Sequence, residues 1–428
     1  MKPSWEMACV ECGAKVEPMA VQYRCACGGT LEVRHGAHQT LTTEEVDKRR
    51  MSLKPVDRSG VWRFREWVLP LPIENMVTRG EGNTGLYDTK RVASYAGVDA
   101  LALKHEGENP TGSFKDRGLT TGTSIAKTLG MTRVAVASTG NTSAALASYA
   151  ALAGMEAIVF IPDGKIAFGK LGQTIAYGAK TLQIKGDFDD AMRLVEAMCL
   201  KEGVYLLNSV NPYRIEGQKA IGFEIFEQLG WRVPDWIVLP GGNLGNNTAI
   251  AKGFLELKRW GLIDRLPRIA VVQAHGANPL YRAWTGDRQL HPVKAETLAS
   301  AIRIGSPVSF TKSMRGLEAT SGVVTEVSDQ DILDAKAVID SAGIGAEPAS
   351  CATVAGLKRL VAEGVIRADE HIVGVLTGHV MKDPGLIVDY HTGQLPAPFT
   401  FERANRPIRV EADLDSIRRA IVETDRPH

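Results

Sequence analysis

The sequence predicts an α/β fold in which parallel-rich sheets are covered by helices, together with a small cysteine-bearing segment at the amino terminus. The main observation is an alternation, from residue 98 onward, of short apolar runs with longer stretches of helical periodicity. A second observation is that polar, glycine-containing sequences follow three of these runs, where parallel sheets commonly carry their sites. With 428 residues, 44% of them hydrophobic, the chain can bury a large core and form two or more domains.

The predicted strands are short runs rich in apolar or β-branched residues: Ala100–Lys104, Arg133–Ala137, Ala157–Ile161, Thr181–Ile184, Val204–Leu207, Trp236–Leu239, Ile269–Gln273 and Ile372–Leu376. Stretches between most of them predict helices, among them Ser143–Leu152, Asp187–Lys201, Glu216–Leu229 and Asn247–Trp260. Strands that alternate with helices pair in parallel, because each crossover helix returns the chain to the same edge of the sheet. Both faces of such sheets are therefore covered.

Four cysteines form two close pairs near the amino terminus, Cys9 with Cys12 and Cys25 with Cys27. A glycine after each pair allows a turn that points both sulfur atoms at one ion, and a tetrahedral zinc fits this arrangement. Reduced cysteines without metal are the alternative, because the second pair is one residue shorter than the usual spacing. Four thiolates leave no open coordination position, so the metal would be structural.

Charge and hydropathy limit the possible partners. The net charge of +1 gives no long-range field, so we expect neither nucleic acid nor an anionic membrane surface to bind. The first residues lack an apolar run of signal-peptide length, and no later segment has the apolar length of a transmembrane helix. We expect a cytoplasmic protein.

Lys115 is predicted to lie in the first turn of a helix. Pro110 and Gly112 end whatever precedes them, Ser113 is a suitable N-cap, and apolar residues then recur at helical spacing. The helix amino terminus carries partial positive charge, which lowers the pKa of a lysine in a dry site and favours a nucleophilic neutral amine. The alternative is a solvated lysine that pairs with Asp116.

The sequence from Ser138 to Ser143 predicts a polar loop at the end of a strand. Hydroxyl and amide side chains surround Gly140, and an alanine-rich helix follows. Small residues let a flat ligand with an anionic arm approach the backbone, while hydroxyls and the helix amino terminus supply donors. An ordinary N-capped turn is the alternative.

A second loop, Pro240-Gly241-Gly242-Asn243-Leu244-Gly245-Asn246-Asn247, follows another predicted strand. Successive glycines allow backbone N–H groups to converge on a phosphate at the helix start. The Walker pattern lacks its lysine, and the dinucleotide pattern lacks an acid after the next strand. A single phosphate without adenosine fits better, and an ordinary β–α turn is the alternative.

A third loop begins with Thr377, after the strand that ends at Leu376. Its hydroxyl could hydrogen-bond a neutral aromatic nitrogen without supplying a full charge, or could merely cap a turn. His379, two residues later, is interpreted as structural.

Taken together, these motifs resemble the threonine synthase family, which belongs to the pyridoxal-phosphate enzymes with the tryptophan-synthase β-subunit fold, also called fold type II. The resemblance covers roughly residues 75 to 390 and rests on motifs in the same order: Pro110-Thr-Gly-Ser-Phe-Lys115-Asp-Arg, Ser138-Thr-Gly-Asn141-Thr, Gly241-Gly-Asn-Leu-Gly-Asn246 and Leu376-Thr-Gly-His-Val-Met-Lys-Asp-Pro384.

The resemblance implies a role for each motif. Lys115 would bond covalently to the cofactor and act as the catalytic residue, Asn141 would hydrogen-bond the phenolic oxygen, and Thr377 would face the pyridine nitrogen. The cofactor phosphate would bind to Gly241, Gly242, Asn243, Leu244, Gly245 and Asn246. The substrate's carboxylate and phosphate would bind to Ser138, Thr139, Thr142, Asn208, Ser209 and Arg214, and the Arg214 guanidinium carries most weight because it meets an oxyanion bidentately.

The resemblance also implies the reaction and the domain arrangement. O-phospho-L-homoserine and water would give L-threonine and phosphate, the last step of threonine biosynthesis, in a homodimer. The implied domains are an amino-terminal segment and linker (1–45), a large cofactor-binding domain (46–128 and 216–428) and a small inserted α/β domain (129–215). Cysteate synthase or another lyase or dehydratase of the same fold is the nearest alternative, and a cofactor-free binding protein is a more distant one.

Overall fold

A computed structural model of the protein describes residues 4–37, 40–163, 168–186 and 188–423. The described residues up to Asp383 form one compact unit, and those from Pro384 onward form another. In the described residues no helix combines the length and the apolar character needed to cross a bilayer.

The strands of the described residues are, in chain order, β1 (Trp5–Cys9), β2 (Lys15–Val16), β3 (Leu31–His35), β4 (Leu86–Asp88), β5 (Ala102–His105), β6 (Arg133–Ala137), β7 (Glu156–Pro162), β8 (Lys180–Ile184), β9 (Tyr205–Leu206), β10 (Trp236–Pro240), β11 (Arg268–Ala274), β12 (Val323–Val327) and β13 (Ile372–Leu376).

The helices are α1 (Thr43–Arg50), α2 (Pro55–Arg58), α3 (Arg65–Val68), α4 (Lys90–Ala96), α5 (Lys115–Thr128), α6 (Asn141–Leu152), α7 (Phe168–Ala176), α8 (Phe188–Glu202), α9 (Tyr213–Gln218), α10 (Ala220–Gln228), α11 (Gly245–Arg259), α12 (Pro279–Thr285), α13 (Phe310–Ala319), α14 (Asp329–Ser341), α15 (Pro348–Ala362), α16 (Pro384–Thr392) and α17 (Leu414–Glu423). Short 3₁₀ turns lie at Trp62–Phe64, Ile73–Asn75, Glu106–Glu108, His275–Ala277, Ser300–Ile302 and Val380–Lys382.

The strands form three sheets. An antiparallel sheet at the amino terminus has the order β2-β1-β3, a six-stranded sheet has the order β12-β11-β10-β13-β5-β4, and a four-stranded sheet has the order β8-β7-β6-β9. Every pairing in the two larger sheets is parallel except that of β4 with β5. The predicted α/β class with parallel-rich sheets is confirmed.

Both faces of the six-stranded sheet are buried. Trp236 and Val238 of β10 face a core built with α14 and α15, and Ile237 and Leu239 face the core on the other side. Strands covered on both faces read as continuous apolar runs, which is why the sequence revealed them.

The structure corrects several predicted element boundaries. Strand β5 begins at Ala102 and ends at His105, so it starts two residues later than predicted. The predicted helix Glu216–Leu229 is two helices, α9 and α10, because the Gly222 N–H bonds to the Lys219 carbonyl three residues back and tightens the turn. Helix α8 begins at Phe188, and the predicted start at Asp187 lies outside the described residues.

The four-stranded sheet is built from residues 133 to 206, inside the range predicted for the inserted domain. The predicted domain boundaries themselves stay a prediction. In the carboxy-terminal unit, the Tyr390 ring of α16 packs against Phe401 with ring centroids 5.8 Å apart.

Candidate active site

Three adjacent strands of the six-stranded sheet end at one edge and supply the candidate site. Strand β13 lies between β5 and β10, with Leu376 paired to His105 and Val373 paired to Ile237. Neighbouring parallel strands lie about 4.8 Å apart, so the loops that follow them meet at this edge. The loop after β5 leads to Lys115, the loop after β13 begins at Thr377, and the loop after β10 runs from Gly241 to Asn246.

The segment before Lys115 is hydrogen-bonded to the loop that begins at Thr377. The Phe114 N–H donates to the Thr377 carbonyl at 3.0 Å, and the His379 N–H donates to the Gly112 carbonyl at 3.0 Å. Two motifs more than 250 residues apart in the sequence therefore form one short antiparallel contact.

Helix α5 begins at Lys115, and buried ion pairs fix its first turn. Arg117 donates to Glu106 at 2.6 Å and to Glu224 at 3.0 Å, and the three side chains are fully buried. Surrounding opposite charges raise the pKa of Arg117 and hold the pKa of Glu224 below its ordinary value, despite burial. The helix start therefore cannot shift without breaking a buried charge network.

The structure contradicts two local expectations at this helix. Ser113 is not the N-cap, because the helix starts one residue later and the Ser113 hydroxyl has no hydrogen-bond partner in the described chain. Asp116 does not pair with Lys115, because its carboxylate accepts from the Thr111 N–H at 2.7 Å and from the Thr111 hydroxyl.

Lys115 has the electrostatic environment of a neutral amine. Desolvation, followed by the nearby Arg214 guanidinium, lowers its pKa from the ordinary value of 10.5 to about 7, against the opposing effect of Glu347. Within the described residues, Lys115 Nζ forms no hydrogen bond or ion pair, and it lies 4.2 Å from the centre of the Phe114 ring. A large share of the amine is therefore unprotonated at neutral pH.

The loop from Gly241 to Asn246 presents unpaired backbone donors at the start of α11. Gly241 N–H donates to the Val272 carbonyl, whereas the N–H groups of residues 242–246 donate to no described carbonyl. Leu244 has the left-handed φ of 63°, which turns the chain into the helix. A Cβ built on Gly241 would lie 2.5 Å from Val271 Cγ1, so this position requires glycine.

Gln218 of α9 connects this loop with the Lys115 helix. A Cβ built on Gly118, in the first turn of α5, would lie 2.7 Å from Gln218 Nε2, and a Cβ built on Gly245 would lie 3.6 Å from Gln218 Oε1. The starts of α5 and α11 thus flank one side chain. Lys115 and the loop of unpaired N–H groups consequently belong to one site.

Glu347 joins the other two predicted cofactor residues. Asn141 Nδ2 donates to both Glu347 carboxylate oxygens, at 3.0 and 3.2 Å, and the Thr377 hydroxyl donates to Glu347 Oε1 at 3.4 Å. The Ser350 hydroxyl lies 3.0 Å from the Thr377 hydroxyl and accepts from the Thr377 N–H at 2.8 Å. Asn141, which follows β6 of the four-stranded sheet, and Thr377, which follows β13 of the six-stranded sheet, are therefore brought together by one buried carboxylate.

The polar loop after β6 leads into α6, which begins at Asn141. Gly140 N–H donates to the Ser138 hydroxyl at 3.2 Å, which shapes the turn. Thr139 and Thr142 are half-buried, and their hydroxyls form no hydrogen bonds with described residues. The loop thus presents hydroxyl groups beside the helix amino terminus, as the sequence analysis expected.

Arg214 is a buried cation without a carboxylate partner among the described residues. Its Nη1 donates to the Leu207 carbonyl at 2.9 Å, and its Nε is buried without a partner. Desolvation lowers its pKa to about 10, because no anion opposes the loss of water. A guanidinium held in this way is suited to an incoming oxyanion.

Asn208 and Ser209 precede Arg214 but differ in their availability. The Asn208 amide is bonded to the Ala137 backbone, accepting from its N–H at 2.9 Å and donating to its carbonyl at 3.0 Å. Asn208 thus braces the strand before the polar loop. Ser209 is half-buried, and its hydroxyl has no partner in the described chain.

The four amino-terminal cysteines converge. Cys9 Sγ lies 3.5 Å from Cys27 Sγ, Cys12 Sγ lies 3.7 Å from Cys25 Sγ, and all four sulfur atoms lie within 4.8 Å of one another. Left-handed glycines, Gly13 and Gly28, follow the two pairs.

The sequence analysis missed Glu347 and Ser350. A signal was present, because an acidic residue directly before a proline marks a helix start, and α15 begins at Pro348. That pattern places Glu347 at a helix amino terminus, but it does not reveal which loops meet there.

Comparison with known proteins decides the family. Residues 77–378 match the family described as pyridoxal-phosphate dependent enzyme. The chain is 46% identical to the threonine synthase of Methanosarcina acetivorans, over 97% of this chain and 98% of that protein. It is 42% identical to the threonine synthase of Methanocaldococcus jannaschii, over 97% of this chain and 99% of that protein. The chain belongs to the threonine synthase family of pyridoxal-phosphate-dependent enzymes.

A solved threonine synthase has the same fold. The structure from Escherichia coli aligns with a TM-score of 0.69, over 98% of this chain and 99% of that chain, at 19% identity. The family resemblance inferred from the motifs and the fold type II architecture are both confirmed.

The residues present fit the cofactor of the threonine synthase family. Asn246 Nδ2 is a buried donor without a partner, in the same loop as the unpaired N–H groups of residues 242–246. Buried polar atoms are rarely left unpaired, so a ligand with several acceptors fits this set. A phosphate with a polar aromatic ring has that chemistry.

Proposed function

We propose that the protein converts O-phospho-L-homoserine and water to L-threonine and phosphate, as a pyridoxal-phosphate-dependent carbon–oxygen lyase. The observation that carries the proposal is a desolvated Lys115 bonded through its neighbouring backbone to Thr377 and flanked by a loop of unpaired N–H groups. The threonine synthase names of relatives above 40% identity support the same reaction.

In this proposal, residues from four loops hold the cofactor. Lys115 would bond covalently to the cofactor, the loop from Gly241 to Asn246 would hold its phosphate through the N–H groups of residues 242–246, and Asn141 and Thr377 would hold its ring. When bound, the cofactor withdraws electrons from the substrate's α-carbon. Thr377 would offer its hydroxyl to the ring nitrogen, and the adjacent Ser350 hydroxyl would orient it. A hydroxyl would leave that nitrogen largely unprotonated and so moderate charge build-up on the ring.

Lys115 also moves protons in this proposal. Because its pKa is near 7, the free amine can take a proton from the substrate's α-carbon and return it later at neutral pH. Glu347 opposes the fall in that pKa, so it keeps the amine basic enough to accept the proton.

Arg214 and the polar loop recognise the substrate. The unpaired Nε of Arg214 and the free hydroxyls of Thr139 and Thr142 supply donors for a carboxylate and a phosphate. Ser138 and Ser209 add further hydroxyls, and Asn208 positions the loop through Ala137. Holding the departing phosphate with such donors stabilises the charge that develops as it leaves.

The proposal includes a structural zinc at Cys9, Cys12, Cys25 and Cys27. A tetrahedron with zinc–sulfur distances of about 2.3 Å places sulfur atoms about 3.8 Å apart, close to the 3.5 and 3.7 Å separations. A homodimer in the cytoplasm stays part of the proposal by analogy with the family.

Phosphate release by the cofactor-loaded enzyme tests the proposal. We expect release from O-phospho-L-homoserine, with L-threonine as the organic product. Little release is expected from O-phospho-L-serine, with or without sulfite. Efficient sulfite-dependent release from O-phospho-L-serine would instead identify a cysteate synthase, and the proposal would be wrong.

A further inference from the structure

We propose that the cysteine-bearing segment is a metal-dependent clamp that positions Arg214, so that zinc at the four cysteines sets the affinity for the phosphorylated substrate. The inference rests on the proposed function, which gives Arg214 its role and zinc its site. It goes further by assigning a positioning role to two tyrosines, Tyr23 and Tyr213.

The first contact is made by Tyr23, which lies in the chain between the two cysteine pairs. The Leu206 N–H donates to the Tyr23 hydroxyl at 2.7 Å, and the Tyr23 and Tyr205 ring centroids lie 5.8 Å apart. Leu206 is the last residue of β9, an edge strand of the four-stranded sheet. Tyr23 therefore covers the outer edge of the strand that leads to the substrate-binding residues.

The second contact reaches the residue next to Arg214. The Met19 N–H donates to the Tyr213 hydroxyl at 3.1 Å, and Tyr213 is 1% exposed. From its other side, Tyr213 is held by the Thr121 hydroxyl, which donates to the Tyr213 carbonyl at 2.9 Å. The first turn of α9 is thus fixed between the amino-terminal segment and α5.

Hydrogen bonds connect the residues of the chain between these two contacts. Asn211 Nδ2 donates to the Leu206 carbonyl at 2.9 Å, and the Tyr213 N–H donates to Asn211 Oδ1 at 3.0 Å. The Arg214 guanidinium itself donates to the Leu207 carbonyl. A shift of the edge strand or of Tyr213 would therefore be transmitted to Arg214.

The cysteines decide whether the clamp is ordered. Met19 and Tyr23 lie in the loop between Cys12 and Cys25, whose sulfur atoms lie 3.7 Å apart. The only strand or helix in that loop is the short strand β2, and Met19 has a left-handed φ of 71°. Four metal–thiolate bonds close this loop and order a segment that has little core of its own.

Other contacts hold the rest of the segment independently of the cysteines. Lys252 donates to the Val33 carbonyl and Lys312 to the Leu31 carbonyl, both at 2.6 Å, and His35 Nε2 lies 2.8 Å from the Glu216 carboxylate. Strand β3 therefore stays anchored to the body of the enzyme when the metal leaves. Metal loss should loosen the Met19–Tyr23 contacts without unfolding the protein.

The test compares zinc-replete and chelator-stripped holoenzyme with the variants Tyr23→Phe and Tyr213→Phe, which remove one hydroxyl each. Tyr281→Phe is the matched control, since no described residue hydrogen-bonds to the Tyr281 hydroxyl. Each test variant should raise KM for O-phospho-L-homoserine about fivefold, the factor that one hydrogen bond of about 1 kcal/mol gives. Stripping, which loosens both contacts, should raise it by at least that factor. The kcat and the cofactor absorbance should not change, and added zinc should restore the wild-type KM.

Hydrogen exchange supplies a readout that does not depend on turnover. Zinc removal should speed amide exchange in the peptide that spans Leu206 to Arg214, and should leave α11 unaffected. The clamp is refuted if the purified enzyme holds no stoichiometric zinc, or if stripping leaves KM and this exchange unchanged. It is also refuted if stripping lowers kcat and cofactor absorbance together, because that indicates a general structural role. Absence of phosphate release from the zinc-replete, cofactor-loaded enzyme would instead refute the proposed function.

Discussion

At the scale of single residues, the candidate site depends on a half-buried lysine whose pKa is shifted by desolvation, by a nearby cation and by a nearby anion. Desolvation and Arg214 favour the neutral amine of Lys115, whereas Glu347 favours the ammonium. The balance leaves the pKa near 7, where an amine is effective both as a base and as an acid.

This balance predicts a pH dependence of kcat. Below a pH of about 7 the free amine of Lys115 is increasingly protonated and cannot take the α-proton, so kcat should fall with decreasing pH and reach a plateau above about pH 8. Steady-state kinetics with saturating substrate measures this fall of kcat at acidic pH. A kcat that stays constant from pH 5.5 to about 8 would contradict the assignment.

Replacing Arg214 tests both its proposed role in anion binding and its effect on the pKa of Lys115. Arg214→Ala should raise KM for the phosphorylated substrate by a factor of about 100 or more, because a buried charged hydrogen bond is worth about 3 kcal/mol. Loss of the cation should also raise the pH below which kcat falls, since Arg214 lowers the pKa of Lys115.

The conservative variant and an exposed site supply the controls. Arg214→Lys should recover part of the affinity, because it keeps the charge but loses the bidentate geometry. Arg193→Ala, at an exposed position on α8, should behave as wild type. An unchanged KM in Arg214→Ala would exclude it from substrate binding.

At the scale of elements, the site is an edge where parallel strands end and tight loops begin. Strands β5, β13 and β10 align the three loops, and a Cβ on Gly241 would collide with Val271 of the next strand, β11. The branched valine cannot move aside within its strand. The loop from Gly241 to Asn246 therefore depends on packing against a neighbouring strand as well as on its own sequence.

The variant Gly241→Ala tests this dependence. The added methyl group would displace the loop and lower the affinity for pyridoxal phosphate about tenfold or more, in line with the cost of overpacking. The control is Gly172→Ala, where a Cβ would meet nothing within 4 Å. Equal cofactor affinities for both variants in an absorbance titration would show that the loop tolerates displacement.

Buried elements were easier to predict from the sequence than exposed ones. The central strands read as apolar runs because both faces are covered, whereas β4 and β12 lie at the sheet edges and mix apolar with polar residues such as Asp88 and Glu326. Helices α9 and α10 were merged into one, because the backbone hydrogen bond from the Gly222 N–H to the Lys219 carbonyl, which tightens the turn between them, leaves no mark in the apolar pattern.

At the scale of the whole molecule, the site assembles residues from distant parts of the chain. Roles for Lys115, Asn141, Gly241 and Thr377 could be predicted from the sequence because each residue follows a recognisable strand or opens a helix. Glu347 could not, because its role arises only where the polar loop of one sheet meets the strand end of another. Similarly, the cysteine pairs were visible in the sequence, but the contact of Tyr23 with Leu206 depends on the folded arrangement.

Borohydride reduction of the cofactor-loaded enzyme, followed by peptide mapping by mass spectrometry, tests the central claim most directly. Reduction makes the bond between the cofactor and its lysine permanent, so the phosphopyridoxyl group should be found on Lys115, and Lys115→Ala should carry none and should lose turnover. Lys127→Ala, on the same helix but hydrogen-bonded to the Glu74 carbonyl at the surface, should be labelled as wild type. A label on another lysine, or a fully active Lys115→Ala, would contradict the account.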